Sequence, residues 1–267
     1  MTDKDSMSTQ MLVLQLDLTW HDRSANHAKA RAMLESVKPQ RGALVVLPEA
    51  FPVGFSMSVS EIADKAGETE AFVRKLAKDF AITVVAGNIV QPDERGRNVA
   101  LAAGPDGHLL ARYEKLHPFT FANEDQHYQA GSRLTPFTWA GAVVSPAICY
   151  DLRFPEIFRA GAAAGAEIFV VIANWPAARV HHWVSLLVAR AIENQAYVIG
   201  CNRCGRDPNV AYPGRSIVID PRGQIIADAG DQETTLPASL DLEDLRAYRK
   251  SFPALRDMRF VRSLEEK

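Results

Sequence analysis

Strand-length runs of nearly unbroken apolar residues recur along this chain and constrain its fold more than any other feature. They are MLVLQL at 11–16, ALVVL at 43–47, ITVVAGNIV at 82–90, AVVSPAIC at 142–149, EIFVVIA at 167–173, AYVIGC at 196–201 and RSIVID at 215–220. A strand with one wet face alternates apolar and polar residues, whereas a continuous run needs burial on both faces. None of these runs is long enough to span a bilayer. The sheets they form must be covered, and the segments between them supply the covers. Ala30, Met33, Leu34 and Val37 repeat at helical spacing, as do Phe72, Val73, Leu76, Ala77 and Phe80 inside ETEAFVRKLAKDF. The Ala-rich segment 156–165 suits a short helix. Trp183, Leu187, Ala191 and Gln195 fall on one line of a longer helix over HHWVSLLVARAIENQAY.

Gly104-Pro105-Asp106-Gly107 separates NVALAA from HLLARY and marks a hairpin, so antiparallel pairing accompanies the helix-linked strands. The pattern predicts an α/β fold of two mixed sheets packed together with helices outside. A chain of 267 residues that is 47% hydrophobic can bury such a core as one domain. Residues 1–10, MTDKDSMSTQ, read as a disordered polar leader, and 11–267 as a single domain with a C-terminal tail. Pro146 cannot donate to a sheet ladder, so a local irregularity is expected just before Cys149.

Thirty basic residues against 32 acidic ones give a net charge of −2, which favours neither nucleic acid nor an anionic membrane as partner. A small molecule suits this surface better. The leader lacks the apolar core of a secretory signal, and three cysteines make no disulfide framework, so a cytoplasmic, reducing location is expected.

Three apolar strands each end in a polar group that a rigid sheet can aim into one site: VVLPEAF with Glu49, LLARYEKLHPF with Lys115, and AICYDLRFPE with Cys149. Singly, a carboxylate or lysine at a strand end is ordinary solvated surface, and a lone cysteine is ordinary core. Together they form the set a thiol-dependent amide hydrolase needs. A free thiol, with a pKa of about 8.5, is mostly protonated at neutral pH. Glu49 can take that proton, Lys115 can stabilise negative charge, and the Tyr150 N–H and the Lys115 ammonium can face a developing oxyanion.

LPEAF, YEKLHPF and CYDLRFPE, in that order and at those separations, resemble the Glu-Lys-Cys signatures of the nitrilase superfamily of carbon–nitrogen hydrolases. The resemblance runs from about residue 11 to about residue 250 and takes in NWPAARVHHW, RAIENQAYVIGCNR and GRSIVIDPRGQIIA. These segments are most similar to the bacterial omega-amidase branch. The resemblance implies a four-layer α-β-β-α sandwich, commonly a homodimer or higher homo-oligomer, with catalytic Glu49, Lys115 and Cys149 and no metal or organic cofactor. It also implies a fourth carboxylate, for which Glu124 in FTFANEDQHYQAG is the best match. The implied activity is hydrolysis of the terminal amide of short dicarboxylic acid monoamides, alpha-ketoglutaramate and succinamate among them. An N-carbamoyl amidase, a deaminated glutathione amidase and a nitrilase share the chemistry, and a catalytically inactive scaffold or small-amide binder shares the fold.

Among the remaining signals, Asn174 and Trp175 follow another strand end and are candidates for the pocket wall, with Phe55, Phe119 and Phe121 as further aromatic candidates. Asp151, Arg153 and Glu156 are expected to brace the turn after the nucleophile by pairing with one another, and Arg153 is also a candidate clamp for a substrate carboxylate. Glu193 suits a helix end or an interface. Cys201 and Cys204 form a lone C-x-x-C, and the adjacent His181 and His182 point apart on a helix, so neither predicts a metal or redox centre.

Overall fold

The apolar runs become strands, and the strands sort into two six-stranded sheets. The computed structural model describes residues 9–259. The first sheet holds β1 (Gln10–Gln15), β2 (Leu44–Val46), β3 (Thr83–Val90), β4 (Arg97–Ala103), β5 (Leu109–Glu114) and β14 (Thr234–Ser239), in the order β14-β1-β2-β3-β4-β5. The second holds β6 (Phe137–Trp139), β7 (Ala142–Ile148), β8 (Ile168–Ala173), β9 (Tyr197–Asn202), β12 (Ile217–Ile219) and β13 (Ile225–Asp228), in the order β13-β12-β9-β8-β7-β6. Each sheet has a parallel centre, β1-β2-β3 or β7-β8-β9, flanked by antiparallel strands. A short ribbon of β10 (Cys204–Arg206) and β11 (Ala211–Pro213) stands apart.

Parallel neighbours need a crossover, and helices provide it. Helix α1 (Arg23–Val37) joins β1 to β2; α2 (Val59–Ile62) and α3 (Glu68–Phe80) lie between β2 and β3. In the second sheet, α5 (Pro155–Ala163) joins β7 to β8 and α6 (Val180–Asn194) joins β8 to β9. The Asp22 side chain caps α1 by accepting from the Ala25 N–H at 2.9 Å, and Asp64 accepts from three N–H groups at the start of α3. The one-turn α4 (Glu124–His127) and α7 (Leu242–Ser251) complete the set.

Alternation along β1 shows why its run is continuous. Met11 and Val13 enter the core between the sheets, beside Val46, Val144, Val170 and Ile199, while Leu12 and Leu14 face outward against Ala30 and Leu34 of α1 and Leu76 of α3. The second sheet repeats the pattern: Phe169, Val171 and Val198 pack on Phe158 of α5 and on Trp183, Leu187 and Ala191 of α6. The result is the expected four-layer α-β-β-α sandwich.

Several local expectations change. β7 and β8 pair in unbroken register through Pro146, so the irregularity expected before Cys149 is absent. The reason is that β6 pairs only with residues 142–144 and leaves β7 with one neighbour at Pro146. Gln195 does not extend the α6 stripe; it ends that helix in the left-handed region, with φ 46°. Strand β1 already begins at Gln10, and the Thr9 carbonyl accepts from the Leu240 N–H. The rest of the expected leader, residues 1–8, and the end of the C-terminal tail, residues 260–267, lie outside the described residues.

Candidate active site

Glu49, Lys115 and Cys149 each stand just beyond a strand end, on β2, β5 and β7, and Asn174 follows β8 in the same way. Two of these exits are sharp. Ala50, directly after Glu49, has φ 44°, and Cys149 itself has φ 46°, a left-handed conformation that is uncommon for residues other than glycine. The first elbow is made possible by Gly87 on β3, because a Cβ there would lie 2.3 Å from the Ala50 nitrogen. The second turns Cys149 out of the sheet and into a five-residue helical turn, Cys149–Arg153.

The carboxylates and the lysine form one buried cluster. Lys115 Nζ lies 3.0 Å from Glu49 Oε1 and 2.9 Å from Glu124 Oε2. Asn98 on β4 donates through Nδ2 to both Glu49 Oε1 at 2.7 Å and Glu124 Oε1 at 3.2 Å, which holds two like charges side by side. Glu49 Oε2 accepts from the Asn174 N–H at 2.8 Å. Glu124 is further fixed by accepting from the Phe119 N–H at 2.5 Å. Glu49 and Glu124 are fully buried and Lys115 is 2% exposed, so these contacts are unscreened.

Charge balance follows from that burial. Burial alone would lower the Lys115 pKa, but the charges of Glu124 and Glu49 outweigh it and hold the ammonium well above its ordinary range. Glu124 is raised, first by burial and then by Glu49, against the pull of Lys115. The Cys149 thiol is pushed well up by burial and by the Glu49 charge, with Lys115 and the Asn174 N–H opposing. The free site therefore holds Cys149 as a thiol rather than a thiolate.

The turn after Cys149 is braced, though not by the pairing expected from sequence. Asp151 accepts four hydrogen bonds: from the Tyr113 hydroxyl at 2.7 Å, the Ile148 N–H at 2.9 Å, the His117 N–H at 2.9 Å, and His117 Nδ1 at 2.9 Å. Arg153 turns away to lie over Trp175 at 4.9 Å and Tyr150 at 6.0 Å, with Nη2 3.3 Å from His182 Nδ1. Glu156 is exposed and makes no such contact. A buried carboxylate needs fixed donors at short range, and Tyr113 on β5, His117 just beyond it and the Ile148 N–H supply them where the flexible Arg153 side chain does not.

A cavity of about 220 Å³ opens above this cluster. Glu49, Lys115, Cys149 and Asn174 line it, together with Phe55, Phe119, Tyr150, Arg153 and Trp175. All the candidate residues read from sequence converge here except Glu124, which stands behind Lys115. Trp175 is fixed at both ends, its N–H donating to Asn202 Oδ1 and its Nε1 to the Arg179 carbonyl, each at 2.7 Å.

The profile of the Carbon-nitrogen hydrolase family matches residues 12–250. The chain belongs to that family. It is 41% identical over 254 residues to "Omega-amidase YafV" of Yersinia enterocolitica, which covers 94% of this chain and 97% of that one. It is 35% identical over 249 residues to "2-oxoglutaramate amidase" of Bacillus subtilis, at 92% and 96% coverage. Among solved structures it resembles XC1258 of Xanthomonas campestris, a CN-hydrolase superfamily protein with an arsenic adduct in its active site. That match has a TM-score of 0.89, 35% identity, and coverage of 94% and 97%.

Within this hydrolase, sequence reasoning missed Asn98, Tyr113, His117, Arg179 and Tyr212. A signal existed for Asn98, an amide at the start of the otherwise apolar NVALAA strand. Arg179, Tyr212 and the Asp151 donors depend on how segments distant in sequence meet. Glu193 does anchor a helix end, as expected: its carboxylate meets Arg190, whose guanidinium donates to the Leu152 carbonyl at 2.8 Å. Cys201 and Cys204 are buried free thiols, and no group of three or more potential metal ligands occurs among the described residues.

Proposed function

We propose that this chain is a cysteine amidase that hydrolyses the terminal amide of short dicarboxylic acid monoamides, 2-oxoglutaramate and succinamate among them, to the acid and ammonia. The observation that carries the reading is the single buried cluster of Glu49, Lys115 and Glu124 beside a Cys149 held at positive φ. The names of the two relatives support the substrate.

Glu49 takes the thiol proton as Sγ attacks the amide carbonyl, so the thiolate forms only when there is a substrate to receive it. An ammonium has three donors, and in the free site Glu49 Oε1 accepts at 3.0 Å and the two Glu124 oxygens at 3.1 and 2.9 Å; when Glu124 shares a single N–H between its two oxygens, one Lys115 N–H turns to the oxyanion. The Tyr150 N–H, at the start of the helical turn and lacking a partner within it, is the second donor. The C–N bond breaks, the leaving amine takes the proton from Glu49, and ammonia departs. Water then attacks the thioester, gives its proton to Glu49, and the acid leaves as the proton returns to sulfur. Glu124 holds Lys115 in place. Asn174 Oδ1, buried without a hydrogen-bond partner, accepts from the substrate amide, while Phe55, Phe119 and Trp175 enclose its carbon chain. Side chains supply every proton and charge in this scheme, so it needs no cofactor.

The protein acts in the cytoplasm, a setting that its free thiols suit, as a homodimer or higher homo-oligomer. Support for association comes from Ile192, Ile225 and Ile226, which are exposed at α6 and β13. No described helix is long and apolar enough to cross a membrane.

The test is ammonia release from 2-oxoglutaramate, succinamate, an N-carbamoyl amino acid, a nitrile and glutamine, with Cys149→Ala alongside. Preference for the first two, lost in the variant, supports the reading. Preference for another substrate removes the substrate assignment, and turnover by Cys149→Ala removes the mechanism.

A further inference from the structure

The cavity has one charged end that the reaction scheme leaves unused. Its floor carries Glu49, Lys115 and Cys149; its mouth carries two guanidinium groups, Arg153 and Arg179, and neither has a carboxylate partner among the described residues. Nearly every other buried or half-buried arginine in this protein is occupied. Arg190 meets Glu193 and the Leu152 carbonyl, Arg203 donates to backbone carbonyls, and Arg97 pairs with Asp93. Two guanidinium groups without a carboxylate partner at one pocket are therefore unusual for this molecule.

The two differ in availability. Arg153 is engaged by His182 Nδ1 at 3.3 Å and lies 4.9 Å over the Trp175 ring. Among the described residues the Arg179 side chain has no hydrogen-bond partner; its guanidinium carbon lies 5.5 Å from the centre of Phe119 and 5.9 Å from that of Phe121. Its donors all remain for a ligand, and the two ring contacts hold the guanidinium beside the cavity. The backbone is fixed too, because the Arg179 N–H donates to the Pro176 carbonyl at 3.0 Å and its own carbonyl accepts from Trp175 Nε1 at 2.7 Å.

We infer that Arg179 is the principal specificity determinant of this site, binding the carboxylate at the far end of the substrate through its guanidinium fork, with Arg153 in a supporting place. A carboxylate matches that fork in a planar, two-bond geometry that a neutral amide or a methyl group cannot use. The inference deepens the amidase reading and rests on it for its turnover arm. The ring contacts with Phe119 also connect recognition to the cluster, since the Phe119 N–H is the one held by Glu124.

The experiment compares succinamate with butyramide, which replaces the distal carboxylate by a methyl group, in the intact protein and in Arg179→Met, Arg179→Lys and Arg153→Met. Hydrogen bonds to a charged group predict that Arg179→Met lowers kcat/KM for succinamate by roughly 10- to 100-fold. Butyramide should lose far less, so the ratio between the substrates collapses, and Arg179→Lys should recover part of it. Equal loss on both substrates, or a collapse in Arg153→Met but not in Arg179→Met, would overturn the assignment. A second readout needs no turnover: glutarate should slow iodoacetamide alkylation of Cys149 in the intact protein and fail to do so in Arg179→Met. Equal protection of both proteins also overturns it. If the intact protein releases no ammonia from any amide yet glutarate still protects Cys149 in an Arg179-dependent way, the amidase reading fails and the anion site stands.

Discussion

Gly87→Ala should disable this enzyme although residue 87 touches no substrate. Gly87 sits inside β3 at an ordinary strand conformation, where alanine normally gains about 0.5–1 kcal/mol over glycine. The loss comes from the elbow that crosses it. An added Cβ would meet the Ala50 nitrogen at 2.3 Å, the Glu49 Cα at 2.6 Å and the Pro48 carbonyl oxygen at 2.6 Å, whereas ordinary contact begins near 3.4 Å. All three are backbone atoms, so no side-chain rotation relieves the clash. The elbow must retreat by about 1 Å, a distance known to cost around 100-fold in activity when reacting groups are displaced. Such a shift would take the 3.0 Å contact between Lys115 and Glu49 out of hydrogen-bond range.

Overpacking of this kind typically costs about 1–3 kcal/mol, so a urea midpoint lowered by about 2 kcal/mol of stability should accompany an ammonia-release rate reduced by about 100-fold or more. Gly165→Ala is the control. Gly165 ends α5 at φ +92° with nothing within 4 Å of its would-be Cβ, so backbone strain of about 1 kcal/mol should appear with kcat/KM intact. A Gly87→Ala protein with unchanged midpoint and turnover within threefold of the parent would refute the reasoning, because it would show that the Glu49 elbow has slack that its close approach to Gly87 excludes.

Three further outcomes follow from the charge arrangement. Lys115→Met removes the cation between two buried carboxylates and should cost about 3–5 kcal/mol at neutral pH along with all activity. Because Glu124 is already raised and loses its opposing charge, part of that stability should return on acidification, as Glu124 takes up a proton; denaturant titrations from pH 8 to 5 check the sign. Asp151→Asn turns one acceptor of a four-donor site into a donor, and should cost about 1–3 kcal/mol and slow turnover, read from thermal melts and the kcat of succinamate hydrolysis. Cys149, Cys201 and Cys204 all have thiol pKa values raised by burial, Cys204 to about 11. Above pH 9 the unfolded chain loses protons that the fold retains, so stability should fall with rising pH, and Cys204→Ala should flatten the fall between pH 9 and 11 in urea midpoints.

The layered fold was legible because its evidence is local. Continuous apolar runs require two buried faces, and the helical stripes between them supply the covers; Met11, Leu12, Val13 and Leu14 divide between two cores as that logic demands. The convergence of Glu49, Lys115 and Cys149 was legible for a different reason, the joint appearance of three strand-end signatures. What resisted reading was pairing. Asp151, Arg153 and Glu156 lie close in sequence with complementary charge, yet Asp151 bonds Tyr113 and His117 instead. Charge in sequence says which groups need partners, and only the juxtaposition of the sheets says which partners are within 3 Å.

That juxtaposition explains how two separate sheets can hold a catalytic set. Glu49 belongs to the first sheet, but its Oε2 is held by the N–H of Asn174, which belongs to the second. Asp151 belongs to the second, but Tyr113 and His117, which hold it, belong to the first. Glu49 is thus anchored from the sheet that carries Cys149, and the turn after Cys149 from the strand that leads into Lys115. Sliding one sheet over the other by even 1 Å would stretch both sets at once, with Asn98 unable to follow because its amide bridges Glu49 and Glu124 within the first. The apolar core between the sheets therefore sets the distance between base and thiol, and substitutions there should alter turnover more than equally buried substitutions beneath the outer helices.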